Sequence, residues 1–441
     1  MRLLSAAATL LAASILHAAP AATLAAGSGS QRGASPSVPF AGVLDEHPAI
    51  GYARRPARDR VARLAARIGL GTVRLDHRGG GGYLASILEA LDISPASQLL
   101  VFSRTGLQRD LTGPSTPRAL YFDDSVIVGF VPGARYLEIA AQDPEQGVIF
   151  YTIAQSAAEP PRIERQTTCL TCHVSASTLE VPGVIARSIV VDKSGNPIPQ
   201  LGFHLVDHRT PLRQRWGGWY VTGRYDAPSY GGIGHMGNVT TVFDPWLGRA
   251  TTSSNEAFVA WRDSNPERLG YLSAESDIVA LLLFDHQMRA MNLLTRLNWE
   301  SRVAGSEADF SRGRLAELTA TLADYLLFAD EAPLPGQLTP PAGLASWLAS
   351  RGPRDRAGRS LRELDLRQRL FRYGCSYMIY SEAFDGLPSR ARRAVYLRIA
   401  AVLAGESTST AAAQLDAPTR QATLEILRDT RPEFAAVLAQ R

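Results

Sequence analysis

RALYFDDSVIVGFV (Arg118–Val131), RYLEIAA (Arg135–Ala141) and GVIFYTIA (Gly147–Ala154) follow one another with only Gly, Pro and Asp punctuation between them. Each run is short and rich in β-branched and aromatic residues, so the series reads as consecutive strands. QLLVFSR (Gln98–Arg104) extends the series upstream. Downstream, ARSIVVDKSGNPIPQLGFHLVD (Ala186–Asp207) supplies further short strands, with Lys193-Ser194-Gly195-Asn196 as a hairpin turn, and WGGWYVTG (Trp216–Gly223) continues the pattern. The centre of the chain is expected to be a sheet or a pair of sheets.

On either side the period changes. Helices are expected from about Arg58 to Ile68 and from Tyr83 to Leu91. Gly79 to Gly82 precede the second helix, where a glycine-rich turn suits phosphate, yet the GxxxxGK[ST] pattern is missing and Lys193 is the only lysine. Nucleotide binding through that loop is therefore not expected. From Asp277 a 3.6-residue period takes over, and SDIVALLLFDHQMRAMNLLTRLNWESRVA (Ser276–Ala304) places Ile278, Leu281, Leu282, Leu293 and Leu297 on one apolar face. Later helices are expected over Gly313–Phe328, Leu361–Phe371, Ser389–Leu403 and Ala417–Arg428, with PLPGQLTPPAG (Pro333–Gly343) as a break. There is no internal repeat. The fold class is α+β, with a β-rich central region and an α-helical C-terminal third.

The 441 residues, 45% hydrophobic and 20% charged, have ordinary globular composition, with a net charge of +4 carried almost entirely by arginine. ARRPARDRVARLAARIG (Ala53–Gly69) reads first as the solvated face of an amphipathic helix and second as a cationic surface for an acidic partner. The N-terminus has the three parts of a secretory signal: Met1-Arg2, an apolar run from Leu3 to Leu16, and small residues Thr23 and Ala25 ahead of a cleavage point near Ala25. No Arg-Arg pair precedes the apolar run, which favours the general secretory route. No later stretch has ~18 uninterrupted apolar residues, so the mature chain is expected in the periplasm or otherwise exported, without a membrane span. Nucleic acid is not an expected partner there. Ala26 to Pro39, small, polar and Gly/Ser/Pro-rich, reads as a flexible leader.

Against this background the pentapeptide CLTCH (Cys169–His173) stands out, because the chain has only one other cysteine, Cys375. Two sulfurs about one helical turn apart, followed at once by an imidazole, match Cys-x-x-Cys-His. This motif resembles the attachment site by which c-type cytochromes hold haem. The resemblance implies that Cys169 and Cys172 form thioether bonds to one porphyrin edge and that His173 binds the iron. It rests on three fixed positions and does not extend to the fold of small cytochromes. A disulfide or thioredoxin-like redox pair remains open, but a βαβ context is not evident and the following histidine goes unexplained. Zinc remains open too, although no second closely spaced ligand pair exists. Cys375, in FRYGCSYMIYSEAF, reads as a small core residue in an apolar, aromatic helical setting.

A haem with one histidine has a sixth coordination position, and its occupant separates electron carriage from catalysis. Met236, in the glycine-rich GGIGHMGN, leads the candidates, with its neighbour His235 behind it; His286 and Met288 fall on a predicted helix and read as interior residues. LVDHRTPLRQRWGGWYVTG gathers His208, Arg209, Arg213, Arg215, Trp216, Trp219 and Tyr220. These read as a twisted aromatic hairpin with a basic edge, next as partners for haem propionates, and last as groups acting on bound peroxide or oxygen. RWGGWYVTG, GHMGN and CSYMIYSEAFDGLP also resemble segments of large bacterial single-haem cytochrome-c-like proteins. The expected organisation is a signal peptide (1–25), a leader (26–39), an α+β haem-binding region (40–305) and a helical C-terminal region (306–441). The expected function is electron transfer with a redox partner protein, the alternatives being a peroxidase-like or oxygenase-like haem enzyme and a haem-bearing sensor or assembly subunit.

Overall fold

A computed structural model describes residues 46–158, 160–226, 234–235, 240–244, 249–253, 256–334, 336–339 and 343–441. The fold is α+β, and the chain from Leu44 to Arg441 forms one compact unit. The signal and leader expectations, and Met236, lie outside the described residues.

The strands read from the central segments form one antiparallel sheet. These are β1 (Leu99–Val101), β2 (Arg118–Phe122), β3 (Val126–Phe130), β4 (Tyr136–Asp143), β5 (Gly147–Ala154) and β6 (Ile163–Arg165). A short ribbon pairs β7 (Arg187–Ile189) with β8 (Phe203–Leu205), and β9 (Trp219–Tyr220) returns to the main sheet beside β1. The sheet order is β6-β5-β4-β3-β2-β1-β9. Lys193 to Asn196 do turn between β7 and β8, with Asp192 N–H on Asn196 O at 2.9 Å.

Because successive side chains point to opposite faces, the register sorts each strand into two environments. The row Tyr121, Val128, Ile139 and Tyr151 runs across four strands on one face. This face is buried under α1 (Arg60–Gly69) and α2 (Leu84–Leu91). On the other face run the rows Phe122, Ile127, Ala140, Phe150 and, one step along, Leu120, Gly129, Glu138, Thr152. The first of these meets a long central helix; in the second Gly129 and Thr152 are buried while Leu120 and Glu138 are only partly so, as are Arg118 and Ala140 on the same side.

Beyond β6 the α-helices among the described residues are α3 (Leu170–His173), α4 (Glu256–Asp263), α5 (Ile278–Ala304), α6 (Gly313–Leu326), α7 (Leu344–Ser350), α8 (Glu382–Asp385), α9 (Ser389–Leu403), α10 (Thr410–Gln414), α11 (Ala417–Thr430) and α12 (Pro432–Ala439). Short strands β10 (Arg224–Asp226), β11 (Gly234–His235), β12 (Thr240–Asp244), β13 (Arg249–Ser253) and β14 (Gln337–Thr339) complete the described elements. Asp277 starts α5 as its N-cap, accepting from Val279 N at 2.8 Å and Ala280 N at 3.1 Å. The sequence predicts one apolar face on this helix. Instead, every residue from Ile278 to Ser301 except Arg289 is buried, since the sheet packs one side and the C-terminal helices the other. Phe284 meets Phe122 edge-on at 5.3 Å on the sheet side.

Two local expectations are corrected. Leu361–Phe371 is not helical: Asp365 Oδ2 accepts from the N–H groups of Arg367, Gln368 and Arg369, Leu366 has φ +60°, and Leu364 bridges Phe371. A carboxylate that satisfies nearby amides in this way offers the backbone a turn in place of a helix. Cys375 is buried as expected but precedes a 3₁₀ turn at Tyr377–Tyr380 and is not itself in a helix. α1 is amphipathic, with Val61 and Leu64 buried and Arg63 and Arg67 exposed; Arg60 departs from this face by pairing with the buried Asp123. The glycines at 79–82 serve close packing: a Cβ on Gly81 would lie 3.1 Å from Gly270 O. Among the described residues no helix is long and apolar enough to cross a membrane.

Candidate functional site

The chain leaves β6 at Gln166, which is fastened to the sheet twice: its N–H donates to Phe150 O at 2.8 Å and its Nε2 to Thr152 Oγ1 at 2.8 Å. From this anchor Cys169 to His173 wind one helical turn, closed by His173 N–H on Cys169 O at 3.0 Å and Val174 N–H on Leu170 O at 2.9 Å. Leu170 packs into the apolar clusters on both sides of the sheet and holds the turn down. Cys169 is half-buried, Cys172 is exposed, and neither forms a disulfide.

His173 is held at two points by one residue. Its Nδ1 lies 2.8 Å from Gly183 O, and its own carbonyl accepts from Gly183 N–H at 3.0 Å. A carbonyl only accepts, so Nδ1 carries the proton and the lone pair is on Nε2. Nε2 makes no hydrogen bond to any described residue. The ring packs on Phe150, centroids 4.6 Å apart. Burial lowers its proton affinity, and the Arg118 and Arg187 charges add to this against the opposing Gly183 bond. A neutral imidazole with an oriented Nδ1–H and a free Nε2 has the form of a metal ligand.

Gly183 is itself fixed from α5. Asn292 Oδ1 accepts from Val184 N at 3.1 Å while its Nδ2 donates to Val184 O at 2.7 Å. A Cβ on Gly183 would sit 2.2 Å from Asn292 Oδ1, so only glycine lets the helix come this close. Around the sulfurs, burial and then the Glu138 carboxylate push the Cys169 thiol up. Arg187, four residues beyond Gly183, stands on β7, and burial followed by Arg118 disfavours its charge. None of Arg118, Glu138, Gly183, Arg187 or Asn292 carries a local sequence signal for this site.

The arginine and tryptophan segment is elsewhere. Arg215 is buried against Asp285 at 3.2 Å and donates to His208 O at 3.0 Å; Trp216 Nε1 donates to the same Asp285 carboxylate at 3.0 Å. Arg209 pairs with Asp207 at 2.6 Å. Trp219 is buried and its Nε1 donates to Arg187 O at 2.9 Å, which supports the back of β7. His208 and His286 join through their Nδ1 atoms at 2.8 Å, and His286 Nε2 meets Ser376 Oγ at 2.7 Å, so both are committed inside the core. Met288 is buried on α5. His235 lies on β11, whose backbone pairs with β10 at Arg224.

Among the described residues no group of three or more His, Cys, Asp or Glu is placed to hold a metal ion. Zinc bound by side chains alone would need such a group. A haem does not, since the porphyrin supplies four nitrogens and the chain need supply only axial groups. The free Nε2 of His173 would serve as one such group, and the two free thiols would be available for covalent attachment. The main sheet is antiparallel throughout, which leaves a thioredoxin-like βαβ setting without support. Comparison with protein families, with curated proteins and with solved structures gives no match.

Proposed function

We propose that this chain is an exported c-type cytochrome that holds one haem through Cys169 and Cys172, with His173 as an iron ligand, and that it transfers single electrons to or from a protein partner. The observation that carries this reading is the imidazole of His173, oriented by Gly183 with Nε2 free, on the same helical turn as two unpaired sulfurs. A haem held there supplies a one-electron ferric/ferrous couple. The chain's contribution is to fix the ring, present the sulfurs at its rim and keep Nδ1 protonated. Met236 remains the proposed sixth ligand on sequence grounds. The enzyme reading is weaker, since of the described basic and aromatic groups offered for it His208, Arg215 and Trp216 are engaged in the core and Arg209 is paired with Asp207.

The test is production of the full-length chain with a haem-maturation system. The expected product stays coloured on a denaturing gel, gives a c-type pyridine haemochrome spectrum, gains the mass of one haem and begins at Ala26. Cys169→Ser/Cys172→Ser together abolish the attachment. A colourless parent of unmodified mass refutes the proposal.

A further inference from the structure

The main sheet has a margin that its own helices cover only in part. α5 covers most of the row Phe122, Ile127, Ala140, Phe150, whereas Ala140 within it and, one step along the strands, Arg118, Leu120 and Glu138 are only partly buried, the Arg118 and Glu138 side chains being 16% and 23% exposed. The CLTCH turn starts at this border, because Gln166 is tied to both Phe150 and Thr152, and His173 lies on Phe150. On another side stands the β7–β8 ribbon, whose register puts Arg187 opposite Leu205 and Ile189 opposite Phe203. Phe203 and Leu205 are 46% and 42% exposed, a large outlay of apolar surface for a two-stranded ribbon, and Arg187 Cζ lies 5.6 Å from the Phe203 ring centroid.

The charges are unbalanced in the same place. Arg118 has one carboxylate, Glu138, at 3.7 Å, and its buried Nε has no hydrogen-bond partner. Arg187 makes no ion pair with any described residue, yet it is close enough to Arg118 and Cys172 for both to act on its charge. Two half-buried guanidiniums against one carboxylate leave an excess of positive charge that an anion would neutralise. The surface is thus apolar with a cationic margin and adjoins two thiols.

We propose that this partly covered margin seats the macrocycle tethered at Cys169 and Cys172, with Leu120 and Ala140 beneath it, Phe203 and Leu205 at its side, and Arg187 and Arg118 taking its carboxylates. The proposal rests on the haem reading and goes beyond it by assigning the rest of the binding surface to a sheet. A small free anion would need the arginines but not the apolar surroundings.

The experiment uses full-length parent, Leu120→Glu, Arg187→Gln, Arg187→Lys and, as a remote charge control, Arg356→Gln, each made with and without haem maturation. Without haem, Arg187→Gln is expected to melt close to the parent, because it has no ion pair to lose and gives up only its packing on the exposed Phe203 ring. With haem, Arg187→Gln and Leu120→Glu lower the midpoint reduction potential, since losing a cation or adding an anion near the iron disfavours the extra electron. Leu120→Glu also loses most of the rise in melting temperature that haem confers; Arg187→Lys restores much of the potential, and Arg356→Gln leaves it unchanged. Parent-like potentials and melting in loaded Leu120→Glu and Arg187→Gln overturn the seat while leaving haem attachment intact. A parent without haem overturns both. Stabilisation of the haem-free parent, but not of Arg187→Gln, by millimolar inorganic phosphate or succinate reassigns the arginines to a separate anion site and also overturns the seat.

Discussion

At the residue scale, the position of one imidazole depends on a glycine ten residues away and on an asparagine of the central helix. Gly183→Ala would drive a methyl group into Asn292, whose amide grips the next residue. We expect a loss of about 1–3 kcal/mol in urea unfolding of the haem-free chain. The iron spectrum of the loaded protein should change with it; an unchanged spectrum and stability would show that the carbonyl does not position His173. Thiol accessibility gives a second check. Native-state alkylation without haem should label the exposed Cys172 first and the half-buried Cys169 more slowly. Cys375 should react only on unfolding, since burial pushes its thiol up to about 12. The cysteines and histidine are legible in the sequence because the spacing of CLTCH is local. Gly183, Arg118, Arg187 and Asn292 are not, because strand register and the approach of α5 bring them together across the chain.

At the element scale, α5 carries a directed chain of hydrogen bonds. His208 Nε2 faces the carbonyl of Ala329 at 3.2 Å and must donate. Its Nδ1 therefore accepts from His286 Nδ1–H, and His286 Nε2 accepts from the Ser376 hydroxyl, with both rings neutral. Burial lowers both proton affinities, that of His208 to about 3. Around them, burial lifts Asp285 to about 7 against the opposing Arg215 charge, while Asp207, although burial opposes its ionisation, is held low by Arg209. An unfolded imidazole titrates near about 6.5. The unfolded state therefore binds the extra proton below that pH, and the stability due to a neutral buried ring, full above it, is lost as pH falls toward the folded value. Asp277 and Asp285, both raised to about 7, act with the opposite sign. The difference between parent and His286→Gln isolates the imidazole: the parent should lose about 1.4 kcal/mol more per pH unit between pH 6 and 4.5. Parallel unfolding free energies over that range would rule out the neutral-ring assignment. Periodicity revealed α5 as a helix, but its apolar positions alone gave no sign that the polar ones are also enclosed. Between Leu361 and Phe371, periodicity misled because the Asp365 carboxylate organises a turn.

For the whole molecule, α5 is the layer shared by the sheet and the C-terminal helices. Exchange of its amides, from Leu281 to Leu297, should require global unfolding and be the slowest in the chain by hydrogen–deuterium exchange. The β7–β8 ribbon, with its exposed residues, should exchange early without haem. Fast exchange in the middle of α5 would contradict its central place. The α+β class was readable from the switch between period-two and period-3.6 patterns. That one helix would join the two regions was not, because periodicity describes an element and not its neighbours.

The grip of Asn292 on the backbone beside Gly183 also implies an order of assembly. β2 to β5 are joined by short reversals and can pair as soon as they are synthesised, whereas the histidine's support waits for a helix more than a hundred residues further along. Until that helix arrives, the turn has its Gln166 anchor on β5 but the histidine lacks its braced partner, so the support of the imidazole is expected to complete late in folding.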